Sequence, residues 1–238
     1  MVTFPEATGP EPDELRRVEL LILDAANAVH ARLQSRYEEL QRKTPVPARK
    51  FRENWTPQWA DKYLVNAPAQ IHKNTRFLRY FAGSSQVFDV GVGPGFLMKL
   101  LIEAQRLRVF GCDVESGKTL VFDELRKELG LEPFVQTHRV TPRQTIPIPE
   151  GCDTLMAFRA SFCDFYTTAD YDWLFDHCRE RLVGPKRIVL LLNGRSYEVE
   201  GVKDYFRRRA EFPLWDPSIP EAMHGSRVES LFCQLSLA

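Results

Sequence analysis

The stretch Val87-Phe-Asp-Val-Gly-Val-Gly-Pro-Gly95, followed at once by Phe96-Leu-Met-Lys-Leu-Leu-Ile-Glu-Ala104, constrains the fold more than any other part of the chain. Val87, Phe88 and Val90 give an apolar approach of the kind found in a buried strand. Glycine then recurs at 91, 93 and 95, where the chain must turn sharply and bring its backbone against a ligand that a Cβ would strike. Helical spacing resumes at Phe96, so the loop opens into a helix N-terminus whose unpaired N–H groups favour an anionic group. Strand, glycine loop and helix in this order predict an α/β sheet that binds a nucleotide-type ligand.

The glycine spacing narrows the ligand. The nicotinamide and flavin fingerprint is G-x-G-x-x-G, and Phe96 stands where its third glycine belongs. A phosphate-cradling P-loop ends in Gly-Lys-Ser/Thr, and Pro94-Gly95-Phe96 does not. The pattern Asp89-x-Gly91-x-Gly93-x-Gly95 resembles the first motif of class I S-adenosylmethionine-dependent methyltransferases. The resemblance implies a Rossmann-like three-layer α/β sandwich with a mostly parallel seven-stranded sheet whose last strand is antiparallel. It also implies S-adenosyl-L-methionine as cofactor, with the glycine loop under its amino-acid part and Asp89 helping to hold its ammonium group.

Leu107-Arg-Val-Phe-Gly-Cys-Asp113 reads as a second strand ending in an acid, about 20 residues beyond Gly93. A carboxylate at that strand tip can accept hydrogen bonds from both ribose hydroxyls. Asp113 is assigned that role, with Glu115 as the second candidate. The alternative is that Asp113 opens a turn and caps a helix beginning near Ser116.

Residues 1–12 carry Pro5, Pro10 and Pro12 and read as a lead-in. Asp13 is a candidate cap for a helix running to about Lys43, with Leu15, Val18, Ile22, Ala25 and Val29 on one side. Phe51–Phe81 is rich in aromatic residues and predicts two or more helices before the first strand. The expected division is a helical extension or lid over 1–81 and the cofactor-binding domain over 82–238. Strands are predicted near 86–90, 107–112, 134–140, 154–158 and 187–192, and helices near 96–105, 117–129 and 170–182. A final strand is expected in Arg227–Leu237, with a weak strand and a connection somewhere in 205–226.

Ligands in open α/β sheets bind at the carboxyl ends of the strands. That rule selects Val140 and Thr141, Phe158 and Arg159, and the segment from Asn193 to Arg195. By the resemblance, Val140, Thr141 and Phe158 join Asp89, the three glycines and Asp113 in cofactor binding. Arg159 is a candidate for substrate binding or catalysis, and equally for a structural pair with Asp164. Helices before the glycine motif commonly cover the pocket in this family, which nominates Trp55, Trp59 and Tyr63 as substrate contacts; core packing is the competing reading. His72 and His224 are candidate general bases, and His138, placed within the third strand, is read as structural.

Composition excludes several classes. Lysine plus arginine balances aspartate plus glutamate at 32 each, so no global field draws the chain to nucleic acid or membrane. The five cysteines contain no C-x-x-C pair and read as reduced, mostly buried thiols. With no signal-like N-terminus and no apolar run of the roughly 18 residues that a span needs, a cytoplasmic setting is expected. The fourth strand lacks the Asn/Asp-Pro-Pro-aromatic ending of enzymes that methylate base amines, and Asp153 and Asp164 do not form a magnesium cluster, so no metal is expected. A small-molecule acceptor remains, such as a sugar or natural-product hydroxyl. The alternatives are a non-catalytic methyltransferase-like subunit and a nucleotide-binding oxidoreductase of similar fold. A homodimer contact through the first helix is a further expectation.

Overall fold

The computed structural model describes residues 10–43, 57–114, 120–158, 160–192, 199–208 and 231–236. The candidates Trp55, Arg159 and His224, together with Glu115, Ser116 and 209–226, lie outside them. The chain forms two compact units that interleave in sequence: one gathers Met1–Ala82, Val92–Arg106 and Glu115–Thr137, the other Gly83–Gly91, Leu107–Val114 and His138–Ala238.

The first unit is helical. α1 (Pro12–Lys43) is followed by a four-residue helix α2 (Pro57–Ala60), a π-helical turn (Asp61–Val65), α3 (Ala67–Thr75) and a 3-10 turn (Leu78–Phe81). α4 (Phe96–Ala104), α5 (Leu120–Glu128) and the short strand β3 (Val135–Thr137) complete it. The stripe on α1 is real and internal: Val18, Ile22, Ala25, Ala26, Val29 and Leu33 are all buried. They face α3, α4 and α5 within the same unit. Each of the Val, Ile and Leu side chains among them stabilises by roughly 1.5–3 kcal/mol when fully buried. Arg32 adds polar ties from α1 to α5, donating to Glu128 at 2.8 Å and Glu124 at 3.1 Å. Leu20, by contrast, is exposed on α1.

The second unit holds the sheet. β1 (Gln86–Val90), β2 (Arg108–Asp113), β4 (Thr154–Phe158), β5 (Arg187–Leu192) and β6 (Leu231–Ser236) lie in the order β2-β1-β4-β5-β6. β1 pairs in parallel with β2 and β4, and β4 in parallel with β5, while β6 runs antiparallel to β5. All of β1 is buried, as its near-continuous apolar run requires of a central parallel strand. α6 (Thr168–Arg181) starts at a capping box made by Thr167 and Asp170, and α7 is Val202–Arg208. Tyr166, Tyr171, Phe175 and Phe206 pack as a buried aromatic group against the aliphatic core of β1, β4 and β5. Six strands occur among the described residues rather than seven.

One expectation needs correcting. The third strand was predicted over 134–140, but β3 stops at Thr137, and His138 stands beyond it. The His138 amide donates to Asp113 O at 2.8 Å, and residues 138–141 continue without regular strand pairing.

Candidate functional site

The strand order reverses at β1, with β2 on one side and β4 on the other, and an open sheet has its crevice at such a switch point. β1 ends there at Val90, and Gly91 follows with φ +86°. The Gly91 amide donates to Cys112 O at 2.8 Å, which fixes the turn to the end of β2. A Cβ on Gly91 would lie 2.9 Å from the Cβ of Ala160, the residue that leads out of β4. Glycine is therefore required twice, by backbone conformation and by the approach of a second strand end.

Gly93 and Gly95 belong to the helical unit and also hold positive φ, +58° and +83°. Gly95 is the N-cap residue of α4 with no side-chain cap. A Cβ there would run into the side chain of Leu131, which lies just beyond α5. Its glycine is thus also a helix-packing requirement, which no reading of a loop motif alone could show.

Two carboxylates stand at the strand tips. Asp89 is buried in β1 and Asp113 is half-buried at the end of β2. Burial, and after it the Asp113 charge, push the Asp89 carboxyl well above the usual carboxylate range. Between them the Cys112 thiol is pushed up to about 12, first by burial and then by both carboxylates. This corner of the sheet thus gathers two acidic side chains around a buried thiol. Asp113 Oδ1 accepts from the amide of Val114 at 2.8 Å, so its carboxylate is oriented by its own turn.

Beyond β3 the chain supplies polar groups with nothing to bond. The Nε2 of His138 and the Oγ1 of Thr141 are buried and have no hydrogen-bond partner among the described residues. Such groups cost about 1–3 kcal/mol each unless something satisfies them. Val140 packs on the sheet's core cluster and Phe158 closes β4, partly buried. Sequence reasoning nominated Thr141 but set His138 aside as structural, because it placed that residue inside a strand.

The candidates of the helical unit have other surroundings. Trp59 and Tyr63 stack at 5.7 Å between ring centroids, Phe122 meets both edge-on, and Lys62 lies over both rings. Tyr63 also meets Phe96 edge-on. His72 is exposed on α3, where its Nε2 accepts from Arg76 at 3.1 Å, since a guanidinium can only donate. Among the described residues no group of three or more His, Cys, Asp and Glu is placed to hold a metal, and no helix is long and apolar enough to cross a membrane.

No protein-family model matches the chain, and no curated protein matches it. Its fold does match solved structures. The S-adenosylmethionine-dependent methyltransferase SibL is 16% identical, with 94% of this chain and 75% of that one covered at a TM-score of 0.50. A TehB-like S-adenosylmethionine-dependent methyltransferase from Corynebacterium glutamicum is 16% identical over 75% of this chain and 96% of its own, also at 0.50. The N-methyltransferase NodS from Bradyrhizobium japonicum is 13% identical over 73% and 98%, again at 0.50. Other neighbours are longer, and the chain spans 58% of one and 60% of another. The chain therefore has the fold those methyltransferases share.

Proposed function

We propose that the chain is an S-adenosylmethionine-dependent methyltransferase acting on a small molecule, with an oxygen of a sugar or natural-product hydroxyl as the acceptor. The observation that carries the reading is the paired carboxylates at the switch point. Asp89, at the glycine turn where a dinucleotide would seat its anionic pyrophosphate, disfavours that group, whereas an ammonium group supplies the positive charge that a buried Asp89 lacks. This argues against the oxidoreductase alternative from the residues themselves.

The remaining groups fit the same ligand. Asp113 suits the ribose hydroxyls, since a charged acceptor bonds a vicinal diol about twice as strongly as a neutral one. Thr141 and His138 carry polar atoms unsatisfied among the described residues and suited to a nucleobase, with Val140 beside them in sequence and Phe158 at the end of β4 as the apolar candidates. Gly91 keeps the turn that leaves β1 free of a side chain. The bound cofactor would supply an activated methyl group, so that proximity and orientation can account for much of the rate. The protein's part is then to bind, orient and exclude water, with a base needed only for an acceptor of high pKa.

Calorimetry with S-adenosylmethionine, S-adenosylhomocysteine and NAD tests the cofactor, and labelled S-adenosylmethionine incubated with a cell extract tests the acceptor. Binding of both sulfur nucleosides and label in small molecules is expected. Binding of NAD alone would overturn the reading, and label only in macromolecules would overturn the acceptor class. The alternative of a non-catalytic subunit predicts nucleoside binding without transfer to any acceptor.

A further inference from the structure

The segment that presents His138 and Thr141 is held in place from outside the crevice, by contacts that the ligand reading leaves unexplained. Thr141-Pro142-Arg143-Gln144 is a turn closed by the Gln144 amide donating to Thr141 O at 3.3 Å. Proline at its second position sets φ near −65°, and Arg143 at the third has φ +60°. That is the type II pattern, whose third position ordinarily takes glycine or asparagine, so Arg143 sits there against its own preference. Its side chain shows what holds it: Nε donates to Asp170 Oδ1 at 2.8 Å.

Exposed ion pairs usually contribute little, partly because two mobile side chains must be fixed. Here only one is mobile. The Arg143 side chain is 60% exposed, but that of Asp170 is 10% exposed, and its other oxygen already accepts from Thr167 N at 2.9 Å and Thr167 Oγ1 at 2.6 Å. The carboxylate is thus fixed by the cap of α6 before Arg143 reaches it. The far end of the same segment is tied down as well, because the Ile146 amide donates to buried His177 Nε2 at 3.2 Å and Trp173 stacks on that imidazole.

We propose that Arg143 is a positioning residue. Its ion pair with Asp170 holds a strained turn, and the turn fixes Thr141 and His138 where they hydrogen-bond the nucleoside. The inference rests on the ligand assigned above. It makes the N-terminus of α6 part of what determines cofactor affinity, although neither Arg143 nor Asp170 touches the ligand.

Three substitutions at one position separate this role from ordinary stabilisation. R143A removes the ion pair and leaves a side chain that disfavours positive φ; it is expected to weaken S-adenosylhomocysteine binding about tenfold in calorimetry and to speed hydrogen exchange at the Gln144 amide. R143G removes the ion pair too, but glycine takes φ +60° without strain, so affinity is expected within about threefold of the parent. R143K should fall between them. Weaker binding in R143A without faster exchange at the Gln144 amide would overturn the proposal, by showing that the guanidinium acts on the ligand itself and not through the turn. Parent-like binding by R143A would overturn it as well, while leaving the ligand reading intact. If the unaltered protein binds no sulfur nucleoside, the ligand reading falls and takes the proposal with it.

Discussion

The two ends of the parallel strands in the sheet unit treat polar groups in opposite ways. At the amino ends, buried Asp153 accepts from Ser85 N and Ser85 Oγ, both at 2.6 Å, from Gln86 N at 3.3 Å and from Thr154 Oγ1 at 2.7 Å. Ser84 Oγ meets Thr154 Oγ1 at 2.8 Å and accepts from Arg187 at 3.1 Å, and Gln86 Nε2 donates to Glu150 O. At the carboxyl ends, Asp89 is buried beside a second carboxylate, and Thr141 and His138 hold buried atoms that have no partner among the described residues. Among those residues one end closes its hydrogen bonds within the chain and the other does not. Stability and ligand affinity should therefore separate by position along the same strands.

The largest expected break is at the closed end. Asp153→Ala leaves the Ser85 and Gln86 amides and the Thr154 hydroxyl without their acceptor and should cost about 3–4 kcal/mol in denaturant unfolding. Nucleoside affinity of the folded fraction should stay within about threefold. A comparable loss of affinity would mean that the two ends are not separate in function.

Asp113→Ala makes the opposite demand. It should weaken S-adenosylhomocysteine binding by about 1.5–3 kcal/mol, the worth of hydrogen bonds to a charged acceptor, and change unfolding stability far less. Calorimetry and a thermal melt on the same sample decide it, and unchanged affinity would remove Asp113 from the ribose.

These two residues also show what could be read before the fold was known. β1, the glycine turn and α4 are contiguous, so period and glycine spacing located them to within a residue or two. β4 and β5 were equally legible, because buried parallel strands carry a run of apolar residues, Leu155–Phe158 in one and Ile188–Leu192 in the other. Asp113 was found because it ends a strand. What escaped were the partnerships between distant segments: Gly95 with Leu131, Ala160 with Gly91, and Arg143 with Asp170. None has a periodic or local signature. The sequence offered Asp164 as a partner for Arg159, but nothing in it paired Arg143 with the cap of a helix 27 residues on. The same limit explains His138, which only the early end of β3 moves from a strand to the segment that follows it.

Asp89→Asn should sharpen the comparison because its two effects have opposite signs. The folded chain holds Asp89 above the ordinary carboxylate range, so it favours the protonated form. The stability linked to that group is full below the unfolded value near 3.9 and is lost as pH rises through the folded value. At neutral pH the amide should therefore stabilise the ligand-free protein, read as a higher unfolding midpoint. Ligand binding runs the other way: an ammonium group prefers the carboxylate, so affinity should rise with pH across the same window, and binding within it should release a proton. Calorimetry in buffers of different ionisation heat reads that proton, and Asp89→Asn should abolish its release. A pH-independent affinity in the unaltered protein would detach Asp89 from the ligand.

The smallest effects give the most direct test, because one substitution can be made at both ends. Thr154 and Thr141 are each replaced by valine, which keeps the shape and removes the hydroxyl. At the closed end the Thr154 hydroxyl bonds both Asp153 and Ser84, so Thr154→Val should cost about 1–2 kcal/mol of stability and leave affinity alone. At the open end the Thr141 hydroxyl is buried with no partner, and removing it relieves a desolvation cost. Thr141→Val should leave the ligand-free protein unchanged or more stable by up to about 1 kcal/mol, and should weaken nucleoside binding about two- to tenfold. Both signs must appear together. If Thr141→Val destabilises the ligand-free chain as much as Thr154→Val does, its hydroxyl is satisfied within the fold, and the carboxyl ends hold nothing in reserve for a ligand at that position.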